Sequence, residues 1–444
     1  LRGSPKIGPL IRTVERPSRP QAKVPVPAPR SLPFEGLKVA DFTSFWAGPF
    51  LTYILGMFGA DVIHVESTAR PDGTRLMNHH PWTEPLWWER SACFHSTNTN
   101  KRGITLDMNS DEGRRLALKL VSECDVIVEN YSPRVMDSWG LSWDEVRAAR
   151  PDAVMVRMPA FDLHGPLRNK VGFAMTMEQV SGLAWLHGFP EHPPTCLLGP
   201  CDPNAGLHGL VGTLIALEHR RRTGEGRLVE SRMVTSALNV AGEQVIEYSA
   251  YGVRLDRAGN RGPAAAPQNC YQASDWDEDL EQRRWVSLAV ATDEQWRALT
   301  GVVGEPGWAK RPELDTRQGR LMHHDELDRV LTEWFSTRTS DDIVDQLSRA
   351  GVPVAKVVHP SANLSMEQLA HRNFFENVTH PVHGDSLIPT FPFRLPGWSG
   401  PVHRRTPPTL GEHNEEVLGG LLGATDEELE ALRASGVIGT EVQM

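Results

Sequence analysis

The sequence predicts an α/β fold in which helices cover a doubly wound parallel sheet, with a smaller α+β domain after it. Two observations carry this prediction. Short β-type runs alternate with helical runs from residue 34 to residue 158, and such alternation is typical of βαβ units. After about residue 240 the pattern changes to loop-like and acidic stretches, which indicates a second structural unit.

The first βαβ unit begins at Phe34. Residues 36–42 form a short apolar run, an apolar helical stretch opens at Gly48 and extends to Phe58, and residues 60–66 form a second apolar run. A strand, a helix and another strand in so short a segment predict two parallel strands joined by a crossover helix.

The following elements continue this alternation. In chain order they are a strand over 104–108, a helix over 111–123, a strand over 125–130, a helix over 143–149 and a strand over 153–158. A long helix is then expected from about Pro203 to Arg222, because Gly224 and Gly226 stop it.

The second unit is less regular. We interpret residues 259–267 (GNRGPAAAP) as a loop and residues 275–281 as a solvated acidic turn. A strand is predicted over 285–290 and a helix over 293–300. The segment 351–358 (GVPVAKVV) indicates a return of the chain to the first sheet, and a C-terminal helix is expected around residues 426–433.

These patterns divide the chain into four segments. They are a linker or tail over 1–33, the N-terminal part of a large domain over 34–239, a small domain over 240–340, and a return to the large domain with a C-terminal helix over 341–444. The first segment has eight prolines and few large apolar residues, so no packed core is expected in it. Since the chain starts with Leu1 rather than Met, we expect a processed end or a piece of a longer protein.

The charge is divided unevenly. Residues 1–33 carry seven basic side chains and one acid, a net charge of +6, so a total of −10 leaves −16 on the remainder. A strongly acidic body argues against a nucleic-acid binder, which normally presents a basic face. No apolar run is long enough for a transmembrane helix, and the five cysteines form no CxxC pair. We therefore expect a cytoplasmic protein without nucleic-acid or membrane partners.

Common cofactor and metal motifs are missing. The first strand is not followed by GxGxxG, and the sequence contains no P-loop, HExxH or GxSxG. The histidine doublets at 79–80 and 323–324 point in different directions on a strand or helix, which disfavours a shared metal. Cys196 and Cys201 are interpreted as packing residues. No metal site is predicted.

A series of short phrases in a fixed order has greater weight. They are FEGLKVADFTSFWAGPF (34–50), GADVIHVE (59–66), PDGTR (71–75), NTNKRGITLDM (98–108), DVIVENYSP (125–133), CDPNAGLHGLVGTLIALEHRRRTGEGR (201–227), GVPVAKV (351–357) and LGEHNEEVL (410–418). Together they resemble the class III CoA-transferase family, which includes formyl-CoA transferase and carnitine CoA-transferase-like enzymes and has α-methylacyl-CoA racemase as a relative. The resemblance implies a Rossmann-like large domain built from both chain ends, a smaller domain from the middle and an interlocked homodimer.

The resemblance places the catalytic nucleophile at Asp202, just before the long helix. An alternative is that Asp202 and Pro203 form only a helix cap and the first helical position. In either role, the positive end of the helix is expected to keep the carboxylate ionised at neutral pH. As a nucleophile, Asp202 would carry acyl and CoA groups in turn, so the enzyme would need acyl-CoA and a carboxylic acid as substrates and no permanently bound cofactor.

The resemblance also places contacts to coenzyme A on several segments. The residues concerned are Phe45, Trp46, Ala47, Arg75, Asn100, Lys101, Arg102, Asn130, Tyr131 and Lys170. CoA is highly anionic, whereas the body of the chain is acidic. The cations among these residues are therefore expected to form a local positive surface. Two alternatives remain open: Lys101 and Arg102 are only solvated turn residues, and Phe45 and Trp46 are only core residues.

Three departures from the family pattern bear on function. Trp46 stands where formyl-CoA transferase has a catalytic glutamine, and residues 262–266 (GPAAA) replace its glycine-rich flap, so use of oxalate or formate is doubtful. Phe173 stands where the racemase has a proton-transferring histidine, which disfavours the alternative of a racemase-type isomerase. A further alternative is a non-catalytic CoA-thioester-binding half of a tandem protein, with residues 1–33 as its linker.

Trp82, Trp87 and Trp88 cluster in one short segment. They are either cover for the protein surface or the wall of an acyl pocket wide enough for a bulky or hydrophobic acid.

Overall fold

The computed structural model describes residues 32–77, 80–393 and 400–443. The predicted tail over residues 1–33 therefore lies outside the described residues, except for its last two positions.

A parallel sheet forms the centre of the larger part. Its strands are β1 (Lys38–Phe42), β2 (Asp61–Glu66), β3 (Lys101–Thr105), β4 (Val126–Glu129), β5 (Val154–Arg157) and β6 (Arg227–Glu230). The spatial order is β3-β2-β1-β4-β5-β6, and every neighbouring pair is parallel. This is the order of a doubly wound Rossmann sheet, so the predicted α/β architecture is confirmed. The sequence pattern does not predict strand β6, because this short run begins and ends with charged residues.

Helices lie on both faces of this sheet, except α10, which has no buried residue. They are α1 (Ala47–Met57), α2 (Ala92–Asn98), α3 (Asp111–Glu123), α4 (Arg134–Ser138), α5 (Trp143–Ala149), α6 (Ala174–Val180), α7 (Leu183–Leu186), α8 (Cys201–Thr223), α9 (Met233–Val240) and α10 (Gly242–Tyr251). Successive strand residues point to opposite faces. Val39 joins a core with Leu51 of α1 and Ala205 of α8, whereas Ala40 joins a core with Leu116 of α3.

The smaller part is built around an antiparallel sheet. Its elements are β7 (Gln268–Asp277), β8 (Gln282–Ala289), α11 (Asp293–Val303), α12 (Arg317–Met322), α13 (His324–Phe335), α14 (Ser340–Arg349) and β9 (Val354–Val357). Strand β9 pairs antiparallel with β8, and Leu347 of α14 lies in the core formed by this sheet and its helices. The expectation that residues 351–358 return to the first sheet is therefore wrong, and α14 and β9, which were expected in the large domain, pack in the smaller part. The apolar pattern of a short strand does not specify the strand with which it pairs.

The last segment leaves the smaller part through α15 (Glu367–His371) and an antiparallel hairpin of β10 (Phe375–His380) and β11 (Gly384–Pro389). A π-helical segment (Glu415–Leu421) and α16 (Asp426–Ala434) follow. Val417 and Leu429 of these two helices lie in the same core as Ala40 and Leu116. Residues from both ends of the described chain thus complete the larger part.

Candidate active site

The strand order reverses between β1 and β4, and ligands of open α/β sheets bind at the carboxyl ends of strands at such a point. The loops after these two strands are tied together. The Ser44 N–H donates to Oδ1 of Asn130 over 2.9 Å, and Nδ2 of Asn130 donates to the Ser44 carbonyl over 2.8 Å. The structure thus brings the predicted loop Phe45–Ala47 next to the predicted residue Asn130.

The loop after β1 is held in an unusual conformation. Phe45 has a φ of 66°, which is uncommon for a residue with a side chain. Its N–H donates to Oδ1 of the buried Asp72 over 3.1 Å. Its ring meets that of Phe173 edge to face, with 5.1 Å between the ring centroids. Phe45 and Phe173 are both partly exposed, and they form an aromatic wall at the reversal point.

Helix α8 approaches this loop closely because of its glycines. A Cβ on Gly206 would lie 2.7 Å from the Ala47 carbonyl oxygen, and a Cβ on Gly209 would lie 2.8 Å from Cδ1 of Leu51. Only glycine allows α8 to lie so close to α1. At the start of α8, a Cβ on Gly199 would lie 3.1 Å from the Trp46 ring, so Trp46 covers the turn that leads into the helix.

Asp202 lies in the first turn of α8, beside the Trp46 loop. It is the second residue of the helix, and Pro200 occupies the capping position without a side-chain hydrogen bond, so the interpretation of Asp202 as a helix cap is wrong. Its side chain is buried, and no described residue donates a hydrogen bond to Oδ1.

The ionisation of Asp202 also differs from expectation. Burial, and next the negative charge of Glu178, raise the pKa of Asp202 to about 7. The expectation of a fully ionised carboxylate at neutral pH is therefore wrong, because loss of hydration outweighs the favourable end of the helix. The neighbouring Cys201 remains a neutral thiol, since burial raises its pKa to about 11.

Glu178 is a site residue that the sequence argument missed. It lies on α6 and is fully buried. One carboxylate oxygen accepts the N–H of Leu197 and the other accepts the N–H of Gly199, both over 2.7 Å. A signal existed in the sequence: Glu178 is an acid within an uncharged helical stretch that has no basic residue within four positions on either side.

Two predicted CoA contacts, Arg75 and Lys101, are instead buried ion-pair partners. Arg75 is fully buried between Glu66 and Glu89, with nitrogen–oxygen distances of 2.8 and 2.7 Å. The Lys101 ammonium, also fully buried, lies 3.0 Å from a carboxylate oxygen of Asp41. Each charge is neutralised within the fold, so the prediction that these cations form a positive surface is wrong for both.

Arg102 and Asn100 hold the C-terminal part of the chain. The Arg102 guanidinium donates to Asp61 over 2.9 Å and to Glu416 over 3.1 Å. The Asn100 amide donates to the Val402 carbonyl, and its oxygen accepts the N–H groups of residues 404 and 405. These polar groups are thus occupied by the protein itself, and Arg102 does not contribute to an open positive surface.

The remaining predicted contacts differ in exposure. Lys170 is an exposed cation in the segment that leads to Phe173. Tyr131 follows Asn130, and its ring meets Trp139 edge to face. Burial raises the pKa of Tyr131 above its usual range, so the phenol stays protonated.

The tryptophan cluster does not line an open pocket. Trp87 and Trp88 are buried against Leu410, so the pocket-wall hypothesis is wrong for these two. Trp82 is 62% exposed and stacks on Trp87. Trp82 therefore covers the protein surface, which is the alternative that the sequence analysis left open.

The segment 262–266 is anchored in the smaller part. The Ala266 N–H donates to the Val290 carbonyl over 2.9 Å, and the buried Arg320 donates to the Ala266 carbonyl over 2.8 Å.

Among the described residues, no group of three or more His, Cys, Asp or Glu side chains could hold a metal ion. The described helices include none with the length and apolarity needed to span a bilayer.

Comparison with known proteins agrees with this architecture. The model of CoA-transferase family III matches residues 34–414. Succinyl-CoA–D-citramalate CoA-transferase of Chloroflexus aurantiacus is 32% identical over 91% of this chain and 98% of its own length. The alpha subunit of succinyl-CoA–L-malate CoA-transferase of Chloroflexus aurantiacus is 30% identical over 95% of this chain and 97% of its own length. A crystal structure of a CaiB/BaiF family protein from Brucella suis superposes with a TM-score of 0.78 at 28% identity, covering 88% of this chain and all of the other. The chain therefore belongs to CoA-transferase family III and is an acyl-CoA:carboxylate CoA-transferase.

Proposed function

We propose that this enzyme exchanges coenzyme A between an acyl-CoA and a free carboxylic acid through a covalent intermediate on Asp202. The observation that carries the proposal is the environment of that carboxylate. It is buried at the start of α8, beside the strand-order reversal where α/β sheets bind ligands, and its Oδ1 has no hydrogen-bond donor among the described residues. A weakly solvated carboxylate of raised pKa is a stronger nucleophile than one in water.

The chemistry uses one carboxylate to exchange two others. Asp202 attacks the carbonyl carbon of the donor thioester, the carbon–sulfur bond breaks, and CoA leaves as a thiolate from a mixed anhydride. The thiolate then attacks the aspartyl carbonyl, which expels the donor acid as a carboxylate and leaves an aspartyl-CoA thioester. The acceptor acid then runs the two steps in reverse. Its carboxylate attacks the aspartyl-CoA thioester and expels the thiolate, and the thiolate attacks the acceptor carbonyl of the new anhydride, which frees Asp202. A thiol has a pKa near 8.5, so the thiolate leaves readily.

The coenzyme is assigned to the reversal point between β1 and β4. Phe45, Trp46 and Ala47 follow β1, Asn130 and Tyr131 follow β4, and we propose these as its contacts. Lys170 supplies an exposed cation for its phosphates. Arg75, Lys101, Arg102 and Asn100 are assigned to the fold, because carboxylates or backbone groups of the protein occupy their polar atoms.

The acyl group is assigned to the space beside Trp46 and the pair Phe45 and Phe173. Aromatic side chains favour a bulky or apolar acyl group over a small dianion such as oxalate. The D-citramalate and L-malate enzymes are named for substrates with two carboxylates. A screen should therefore compare succinyl-CoA with branched and aromatic acyl-CoA donors, and a preference for oxalate or formate would contradict the assignment.

The nucleophile is tested by replacing Asp202 with asparagine. Asp202→Asn should abolish transfer and remove the hydroxylamine-sensitive mass increase on the peptide that contains residue 202, because an amide cannot form the anhydride. A matched control is Asp279→Asn, an exposed acid in the smaller part, which should transfer CoA at the wild-type rate. Wild-type transfer by Asp202→Asn would refute the aspartyl mechanism.

The racemase-type alternative makes a different prediction. An isomerase would incorporate deuterium at the α-carbon of an α-methylacyl-CoA in deuterated water, whereas the transferase proposed here would not. Phe173 stands at the position of the racemase histidine, and its side chain carries no transferable proton. A non-catalytic CoA-binding half would fail both the transfer and the isotope assay.

We also propose that the enzyme is a homodimer, as the family resemblance implies. Exposed apolar side chains are concentrated on α8 and α10, including Val211, Ile215, Ile246 and Tyr251. None of the residues of α10 is buried, and an isolated helix of this length is marginal in water. A second copy that covers these faces supplies the missing packing.

A further inference from the structure

Glu178 is the most deeply buried carboxylate beside the proposed nucleophile. It is fully buried, and no lysine, arginine or histidine among the described residues forms an ion pair with it. Both of its oxygens accept backbone N–H groups, one from Leu197 and one from Gly199. Burying a carboxyl group away from water is costly unless its oxygens find partners, and these two backbone N–H groups are the partners that Glu178 has. Packing alone therefore does not explain an acid at this position.

The two bonds of Glu178 hold the turn that leads into α8. Within this turn Leu198 has a φ of 64° and Gly199 a φ of 104°, and both values lie in the left-handed region. The Gly199 carbonyl then accepts the N–H of Asp202 over 3.1 Å. Glu178 therefore fixes the backbone from which the Asp202 side chain projects.

The charge of Glu178 also acts on the nucleophile. The two carboxylates repel, since the field of Glu178 is one of the two causes that raise the pKa of Asp202. Cys201 is the other titratable neighbour in the same electrostatic environment, and it is neutral. An ionised Asp202 is therefore disfavoured by both causes, the loss of water around it and the field of Glu178.

We propose that Glu178 is a positioning residue that holds Asp202 in place and, through its fixed negative charge, favours the covalent forms in which Asp202 is neutral. The inference rests on the aspartyl mechanism proposed above. When Asp202 attacks the thioester, its negative charge leaves with the electron pair of the broken carbon–sulfur bond and resides on the CoA sulfur. When the thiolate attacks the aspartyl carbonyl, the charge leaves with the donor carboxylate. In the anhydride and in the thioester alike, the repulsion from Glu178 is absent.

The test separates the charge of Glu178 from its structural role. Glu178→Gln removes the charge and keeps the size, although its amide nitrogen can no longer accept one of the two N–H groups. Glu178→Asp keeps the charge and loosens the hold on the turn. Glu191→Gln, an exposed acid in the same connecting segment, is the matched control. For each enzyme, single-turnover formation of the adduct on the peptide that contains Asp202 is measured by mass spectrometry from pH 4 to pH 9.

The expected result is a shift in the pH profile. In the wild type and in Glu191→Gln, adduct formation should rise with pH through a midpoint near 7, where Asp202 ionises. In Glu178→Gln the midpoint should fall by about one pH unit, because burial still raises the pKa after the repulsion is gone, and the adduct fraction at saturation should fall about tenfold. Glu178→Asp should keep the high midpoint and react more slowly.

Two results would overturn the inference. One is a slower Glu178→Gln enzyme with an unchanged midpoint, which would make Glu178 purely structural. The other is a low midpoint in Glu178→Asp, since this variant keeps the charge and should therefore keep the high midpoint. This second result would refute the inference even if Glu178→Gln did not fold. Failure of the aspartyl mechanism itself is recognised separately, since Asp202→Asn would then still transfer CoA.

Discussion

At the scale of single residues, the polar interior beneath the β1 loop shows how a charged residue can serve the fold rather than the ligand. Asp41 at the end of β1 is fully buried and accepts hydrogen bonds from Lys101 over 3.0 Å and from Thr52 over 2.7 Å. Burial alone would raise its pKa, but the charges of Lys101 and His64 hold the pKa of Asp41 well below its usual range. A buried charge with a matched partner contributes little net stability, and its loss is costly because the partner remains unpaired.

Replacement of Lys101 by methionine tests this structural role. Lys101→Met should lower the free energy of unfolding by about 3–5 kcal/mol, because the buried Asp41 carboxylate loses its ammonium partner and is left with His64 as its basic neighbour. The double variant Asp41→Asn/Lys101→Met should recover a large part of that loss. Urea unfolding measures both effects. If Lys101→Met unfolded like the wild type and only weakened CoA binding, Lys101 would belong to the coenzyme site after all.

At the scale of elements, the placement of Asp202 depends on how closely α8 packs on α1. Gly206 and Gly209 lie one and two turns into α8 and face α1 and the strand core. Backbone and side-chain atoms of α1 occupy the space that a larger residue would need. Small residues at this crossing therefore set the distance between the nucleophile and the loop Phe45–Ala47.

Replacement of Gly206 by alanine should disturb the site through this contact. The added Cβ would lie 2.7 Å from the Ala47 carbonyl oxygen, so α8 must move. Gly206→Ala should cost about 1–3 kcal/mol of stability and reduce transfer severalfold. The control is Gly301→Ala in α11, where no atom lies within 4 Å of the new Cβ. There the higher helix propensity of alanine should slightly stabilise the protein. Equal behaviour of the two variants in thermal unfolding and transfer assays would contradict the close-packing argument.

At the scale of the whole molecule, exposed apolar side chains lie on α8 and α10. Ile215 and Ile246 are 67% and 65% exposed, and Tyr251 is 74% exposed. Large apolar side chains that are exposed on neighbouring turns of a helix often mark a surface that a partner covers. The proposed homodimer removes it from water.

A charged substitution on α10 tests the dimer. Ile246→Glu should shift the mass measured by light scattering from two chains to one, because burying an unpaired carboxylate in the interface is unfavourable. Met322→Glu, at an exposed apolar position of α12, should keep the wild-type mass. A wild-type protein that is monomeric at micromolar concentration would refute the proposal. Because one relative is named as an alpha subunit, native mass spectrometry of the protein from its host distinguishes two identical chains from two different ones.

Much of this molecule could be predicted from local sequence. The alternation that marks β1, α1 and β2, and the long helix that carries Asp202, follow from periodicities of two and 3.6 residues, which neighbouring side chains alone establish. The family followed from eight phrases in order, since each phrase contains the residues that a shared fold requires at fixed places. These features depend on residues close together in the chain.

Features that depend on distant pairing required the three-dimensional structure. Strand β9 pairs with β8 rather than with the parallel sheet, and Lys101 forms an ion pair with Asp41 of another strand. Glu178 accepts hydrogen bonds from a turn about twenty residues further along the chain. The pKa of Asp202 likewise depends on burial and on Glu178. The apolar pattern of a strand does not specify which other strand it pairs with. Nor does a charged residue in a sequence reveal whether a ligand, the solvent or a buried residue of opposite charge interacts with it. Long-range packing settles both, because only the folded chain establishes which groups lose their water and which partners replace it.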